Sequence, residues 1–106
     1  MKPDPILSLI SLAQKAGKVK SGSFMTEESV KSQKAHLVIC ATDASDRTKK
    51  DVQSMCKHYS VPVLFYGTKE TLGQCVGKEY NATICITDLQ FSETLLKKTD
   101  ALNCEA

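Results

Sequence analysis

No stretch of the chain approaches the roughly eighteen consecutive apolar residues that a bilayer-spanning helix requires. The opening, Met1 to Pro5, lacks the unbroken apolar core and small-residue cleavage site of a signal peptide, so a soluble cytoplasmic protein is expected. Arginine is represented by Arg47 alone, which disfavours the bidentate guanine contacts of a DNA major groove. No two of the cysteines, Cys40, Cys56, Cys75, Cys85 and Cys104, stand as Cys-x-x-Cys, and their odd number and wide spacing give no zinc or dithiol redox pattern. Glycine-rich dinucleotide and P-loop signatures are missing too, which removes the usual nucleotide-binding arguments. No metal and no cofactor are expected.

What is there suits a small α/β protein. With 106 residues, 42% of them hydrophobic, the chain can build one modest core, so a single domain over 1–106 is expected. The net charge of +2 is too small for general attraction to polyanions, so any nucleic-acid site must be a local patch.

The strongest pattern lies between Ala35 and Leu72. Two apolar runs, Ala35 to Ala41 and Val61 to Tyr66, flank a polar segment with Val52, Met55, Cys56 and Tyr59 at helical spacing. Either Asp43 or Ser45 can cap that helix. Upstream, Ile6, Leu9, Ile10 and Ala13 mark an amphipathic helix that Gly17 ends, and Lys18 to Ser21 reads as a short polar strand or edge piece. Ser23 is the expected cap of a second helix to about Ser32, with Phe24, Met25 and Val30 as its apolar contacts.

Downstream, Thr68 caps a short helix bearing Leu72, Cys75 and Val76, and Gly77 closes it. A loop, Lys78 to Asn81, precedes the strand Thr83 to Thr87. Asp88 then caps a last helix with Phe91, Leu95 and Leu96 inward and Lys97 and Lys98 in its final turn, the tail fraying from Thr99. The order αβαβαβαβα reads as a three-layer α/β/α sandwich with a sheet of about four strands.

Three kinds of chemistry compete. Asp43 and Asp88 each follow a strand run, where open α/β sheets hold ligands, and an enzyme or small-ligand site needs a pocket joining them. Each also precedes a helix, where a capping role suffices. Cys40 and Cys85 lie inside apolar runs as small hydrophobes, and neither His36 nor His58 is evidently beside a cysteine, so no nucleophile and base pair is marked. The remaining candidates are turns with amides and lysines: Gly22 and Ser23, Thr68 and Lys69, and Lys78. Helix N-termini offer amides to anions, and a lysine adds a point charge for phosphate.

The segments Leu12 to Gly17, Ser21 and Gly22, Leu37 to Ile39, Asp43 to Ser45, Thr48 to Lys50, Val61 and Pro62, Gly67 to Lys69, and Leu72 and Gly73 together resemble one family. It is the kink-turn-binding ribosomal protein family written L-seven-Ae, in its bacterial YlxQ-type branch. The resemblance covers roughly residues 6 to 97 and implies a mixed sheet in an α/β/α sandwich. It also implies a non-enzymatic protein, monomeric when free, that binds structured RNA such as ribosomal RNA, or the ribosome.

By the same resemblance, RNA contacts fall on Gly22, Ser23, Phe24, Met25 and Glu28, on Lys69, and on the loop with Lys78, Glu79 and Tyr80. The family's Gly-Thr-Asn-Glu and following lysine stand here as Gly22, Ser23, Phe24, Met25 and Glu28. Phe24 and Met25 cannot supply the hydrogen bonds of Asn and Glu, and Glu28 repels phosphate. Tyr80 can stack on an extruded base. The alternative on this fold is a protein-interaction module with Phe24 and Met25 as an exposed apolar anchor.

Overall fold

In the computed structural model, which describes residues 4–104, helices and strands alternate. The elements are α1 (Pro5–Lys15), β1 (Val19–Ser21), α2 (Ser23–Lys31), β2 (Leu37–Cys40), α3 (Asp46–Tyr59), β3 (Val63–Phe65), α4 (Lys69–Cys75), β4 (Thr83–Ile86) and α5 (Leu89–Cys104). The strands form one sheet in the order β1, β4, β2, β3. β2 and β3 are parallel, with Val38 opposite Val63, whereas β4 runs antiparallel to both β1 and β2. Every residue of β2 and β4 is buried, as befits strands covered on both faces. The edge strand β1 exposes Lys20, a charge that discourages pairing with another chain.

Helices α2 and α3 pack together against one face, and α1 packs with α4 and α5 on the other, completing the three layers. The second side holds most of the core: Ile6 and Ile10, Leu72 and Leu95 are fully buried. Burying each such side chain stabilises the fold by about 1.5–3 kcal/mol. The α2 and α3 side is leaner, with Thr26, Ser29, Val30, Val52 and Cys56 facing inward. Cys40, Cys56 and Cys85 are buried there and act as small hydrophobes. Burial pushes all three thiols up, Cys56 to about 11, so they stay protonated and poorly nucleophilic at neutral pH.

Local capping follows the sequence at most helix ends. Ser45 accepts the Thr48 amide at 3.1 Å, Thr68 forms a reciprocal box with Thr71, and Asp88 accepts the Phe91 amide at 2.9 Å. Several expectations are corrected. Ser23 is the first residue of α2 rather than its cap; Gly22 holds the cap position at φ +92°, a region that glycine enters readily. The Gly22 amide bonds the Thr83 carbonyl at 2.9 Å, and that bond to the sheet sets the phase of α2. Phe24 and Met25 therefore turn outward, while Thr26, Ser29 and Val30 turn in.

On α3, Tyr59 is exposed and stacks edge-on against His58, with ring centroids 4.7 Å apart. At the other end, α5 runs to Cys104. Thr99 extends the inward row of Phe91 and Leu95 and satisfies its hydroxyl by donating to the Leu95 and Leu96 carbonyls. Lys97 and Lys98 consequently sit inside the helix rather than in its last turn.

One polar pair fastens the start of α1 to the end of β3. Asp4 accepts the Ile6 and Leu7 amides at 2.8 and 3.1 Å, and the Tyr66 hydroxyl donates to its second oxygen at 2.6 Å. Burial opposes ionisation of Asp4, but these hydrogen bonds outweigh it and hold the carboxyl below its ordinary value. Burial first, and then the Asp4 bond, push Tyr66 up to about 12. The depressed acid stabilises the fold above its unfolded pKa of about 3.9, and that contribution disappears as pH falls through the folded value. The raised phenol works oppositely, losing its contribution as pH climbs from about 10 toward 12. Denaturation across pH should show both losses in the parent, with Tyr66→Phe removing the alkaline loss and Asp4→Asn shrinking the acidic one.

Candidate nucleic-acid interface

Strand direction decides which turns meet. Because β1, β2 and β3 run one way and β4 the other, the C-terminal ends of the first three lie beside the start of β4. The N-termini of α2, α3 and α4 follow directly, so they gather at this end with the loop that enters β4. Backbone bonds tie them together: Gly22 N to Thr83 O at 2.9 Å, Ala41 N to Ala82 O at 2.8 Å, and Thr42 N to Gly67 O at 2.8 Å. The Thr42 hydroxyl also donates to Gly67 O at 2.8 Å.

The helix-start amides are not equally free. At α4, Lys69 N donates to Asp43 Oδ1 at 2.8 Å, while Thr68 and Thr71 satisfy each other's amides. At α3, Ser45 covers Thr48. Among the described residues, α2 has no side-chain cap, because Gly22 has no side chain to offer. The positive helix end that remains open to an anion is therefore that of α2. Asp43, in addition, places a carboxylate at the α4 N-terminus and makes it a poor phosphate site.

The residues named from sequence lie in α2, at the start of α4 and in the loop between α4 and β4. Lys69 is held through its backbone, donating to Asp43 and accepting from Asn81 N at 2.9 Å, so its ammonium projects from a fixed root. Lys78 lies beyond the end of α4, in the loop that returns to β4, its amide bonded to Gly73 O at 2.8 Å. Neither ammonium is ion-paired among the described residues. Tyr80 is 64% exposed, Phe24 74% and Met25 37%, and Glu28 and Glu79 also face solvent. The uncapped start of α2, two lysines, two bare aromatic rings and two exposed carboxylates thus lie on elements that begin at, or return to, this end of the sheet.

Two supporting residues escape a linear reading. Asp43 was open to a capping role, but it caps α4, twenty-six positions away, rather than its own helix. Gly73 is buried, and a Cβ there would stand 2.8 Å from the Glu79 carbonyl oxygen and 2.9 Å from Tyr80 N, so only glycine lets this loop lie on α4. A glycine inside a short helix was the available signal, since it weakens the helix unless packing requires it. The carboxylate pair is not assembled: β2 and β4 are antiparallel, which sends Asp43 and Asp88 to opposite ends of the sheet. Asp88 is occupied at the first turn of α5.

Comparison with known proteins agrees with this architecture. The family model described as ribosomal protein L7Ae/L30e/S12e/Gadd45 matches residues 4–96. The RNA-binding protein YlxQ of Bacillus subtilis (strain 168) is 34% identical over 92 residues, 87% of this chain and 92% of that protein. A solved structure from Bacillus halodurans C, of unknown function, superposes with a TM-score of 0.88 at 32% identity over 92% of this chain and 99% of its own. The Giardia lamblia 15.5kD RNA binding protein gives a TM-score of 0.77 at 24% identity over 96% of this chain and 93% of its own, a likeness of fold.

The packing of the loop on Gly73 predicts a specific loss. Gly73→Ala should destabilise the protein by about 1–3 kcal/mol through overpacking. It should also raise amide exchange at Glu79 and Tyr80, measured against the parent by denaturant unfolding and hydrogen exchange.

Proposed function

The chain belongs to the ribosomal protein L7Ae/L30e/S12e/Gadd45 family, in its YlxQ-type branch, and on that premise we propose that it binds structured RNA through the end of the sheet where α2, α3 and α4 begin. The observation that carries this is the uncapped start of α2 at the same end of the sheet as the start of α4, with Lys69, and the loop of Lys78 and Tyr80 that enters β4, the rings of Phe24 and Tyr80 being exposed. Amides from Ser23 onward receive a phosphate, the lysines hold the flanking backbone, and Tyr80 stacks on an unpaired base. No chemistry on the RNA is part of this role. The natural target is ribosomal RNA or another folded RNA whose backbone bends sharply enough to meet all three turns.

Recognition is by shape and stacking. Phe24 and Met25 offer no hydrogen bonds to base edges, so the first turn of α2 reads a base plane rather than a base edge. Glu28, exposed one turn on, repels phosphate and confines the backbone to the Lys69 side. The exposure of Phe24 and Met25 favours a second reading, an apolar anchor for a protein partner.

Titration against a kink-turn RNA, a kink-disrupted control and a ribosomal RNA fragment, at two salt concentrations, separates these readings. Lys69→Glu should weaken binding and lower the slope of log affinity against log salt by roughly 0.7–0.9 for one lost phosphate contact. Tyr80→Ala should reduce affinity by about 1–3 kcal/mol with little change in that slope. Absence of specific binding to all three RNAs leaves the protein-anchor reading.

A further inference from the structure

Between α2 and α3 lies a second feature, which adjoins the gripping surface at Ser23. It is a cleft of about 340 Å3 that starts at Ser23 and Thr48, in the first turns of the two helices, and runs past Glu27 and Asp51 to Val52 and Met55. Its floor is formed by Thr26 and Thr83, both essentially fully buried. Neither floor hydroxyl makes a hydrogen bond; the weakly bonding thiol of Cys85 lies beside Thr26, and Thr83 lacks even that. Buried hydroxyls are normally satisfied, so an unpartnered one under an open cleft points to a polar occupant.

The lining chemistry narrows that occupant. No lysine or arginine lines the cleft, and its two charged residues are carboxylates, so phosphate and other anions are repelled. Glu27 is ion-paired with Lys31 at 2.6 Å, whereas Asp51 has no ion-pair partner among the described residues. A dehydrated metal ion is a poor fit, since no three carboxylate, imidazole or thiol groups converge among the described residues. Hydroxyl acceptors at the entrance, a free carboxylate, and an apolar wall from Val52 and Met55 instead suit ammonium groups joined by methylenes.

We infer that the cleft between α2 and α3 binds a small aliphatic diamine or polyamine. One ammonium pairs with Asp51 and hydrogen-bonds the hydroxyls of Ser23 and Thr48; the methylene chain lies on Val52 and Met55; and a second ammonium, or a water it orders, reaches Thr83. Diamine binding here requires no RNA. Where RNA is bound at the adjoining start of α2, the added positive charge offsets Glu27 and Glu28, so each ligand raises the affinity of the other by one common factor.

Isothermal titration of the RNA-free protein with putrescine and with spermidine, at physiological salt and with magnesium chloride as the control cation, tests the site. Saturable one-to-one binding is expected, with at least a tenfold loss in Asp51→Asn and no change in Glu70→Gln, a carboxylate outside the cleft. Thr83→Val should weaken binding severalfold while leaving the thermal midpoint unchanged or higher, because it removes an unsatisfied buried hydroxyl. No saturable binding, equal binding by all variants, or full competition by magnesium at equal ionic strength would overturn the site. RNA affinity measured with and without spermidine is read separately, so failure of RNA binding leaves the cleft result standing.

Discussion

The insertion of β4 between β1 and β2, antiparallel to both, is the constraint from which the rest of the molecule follows. A strand in that position must be apolar along its length, and Thr83 to Ile86 is buried throughout. It also fixes geography. The start of β4 stands against the ends of the other three strands, and the Gly22 to Thr83 and Ala41 to Ala82 hydrogen bonds lock three helix starts and one loop into a single surface. Had β4 been parallel to its neighbours, the loop carrying Lys78 and Tyr80 would enter the sheet from the other end.

Within that surface, the allocation of backbone amides creates the asymmetry on which the proposed binding rests. Asp43, Ser45 and the Thr68 and Thr71 pair close α3 and α4, leaving α2 open because its cap position is a glycine. Electrostatics then favours an anion at one helix start and not at its neighbours. The same glycine orients Phe24 outward and Thr26 inward, so one residue links the stacking surface to the floor of the neighbouring cleft. Gly73 has the corresponding role for the loop, admitting the backbone of Glu79 and Tyr80 where any side chain would exclude it.

The two faces of α2 thus carry opposite chemistries. Its start carries uncapped amides and the exposed ring of Phe24, while its flank against α3 carries carboxylates and hydroxyls. In the proposed complex, such opposite chemistries a turn apart would orient a nearly neutral protein toward RNA, which a uniformly basic surface would not.

The alternation of helices and strands, the burial of the apolar run at Leu37, and the caps at Thr68 and Asp88 were determined by the sequence itself. Each depends on interactions among residues close along the chain, or on the simple rule that continuous apolar runs go inside. The turns proposed to bind RNA were named for the same local reason, glycines and capping hydroxyls at helix starts. Only the tertiary structure decided that Gly22 displaces Ser23 as the cap, that Asp43 serves α4 rather than α3, and that Asp88 lies at the far end from Asp43. All three turn on partners distant in sequence or on strand direction, and hydrophobic periodicity, which is the same for a parallel and an antiparallel strand, carries no information about either.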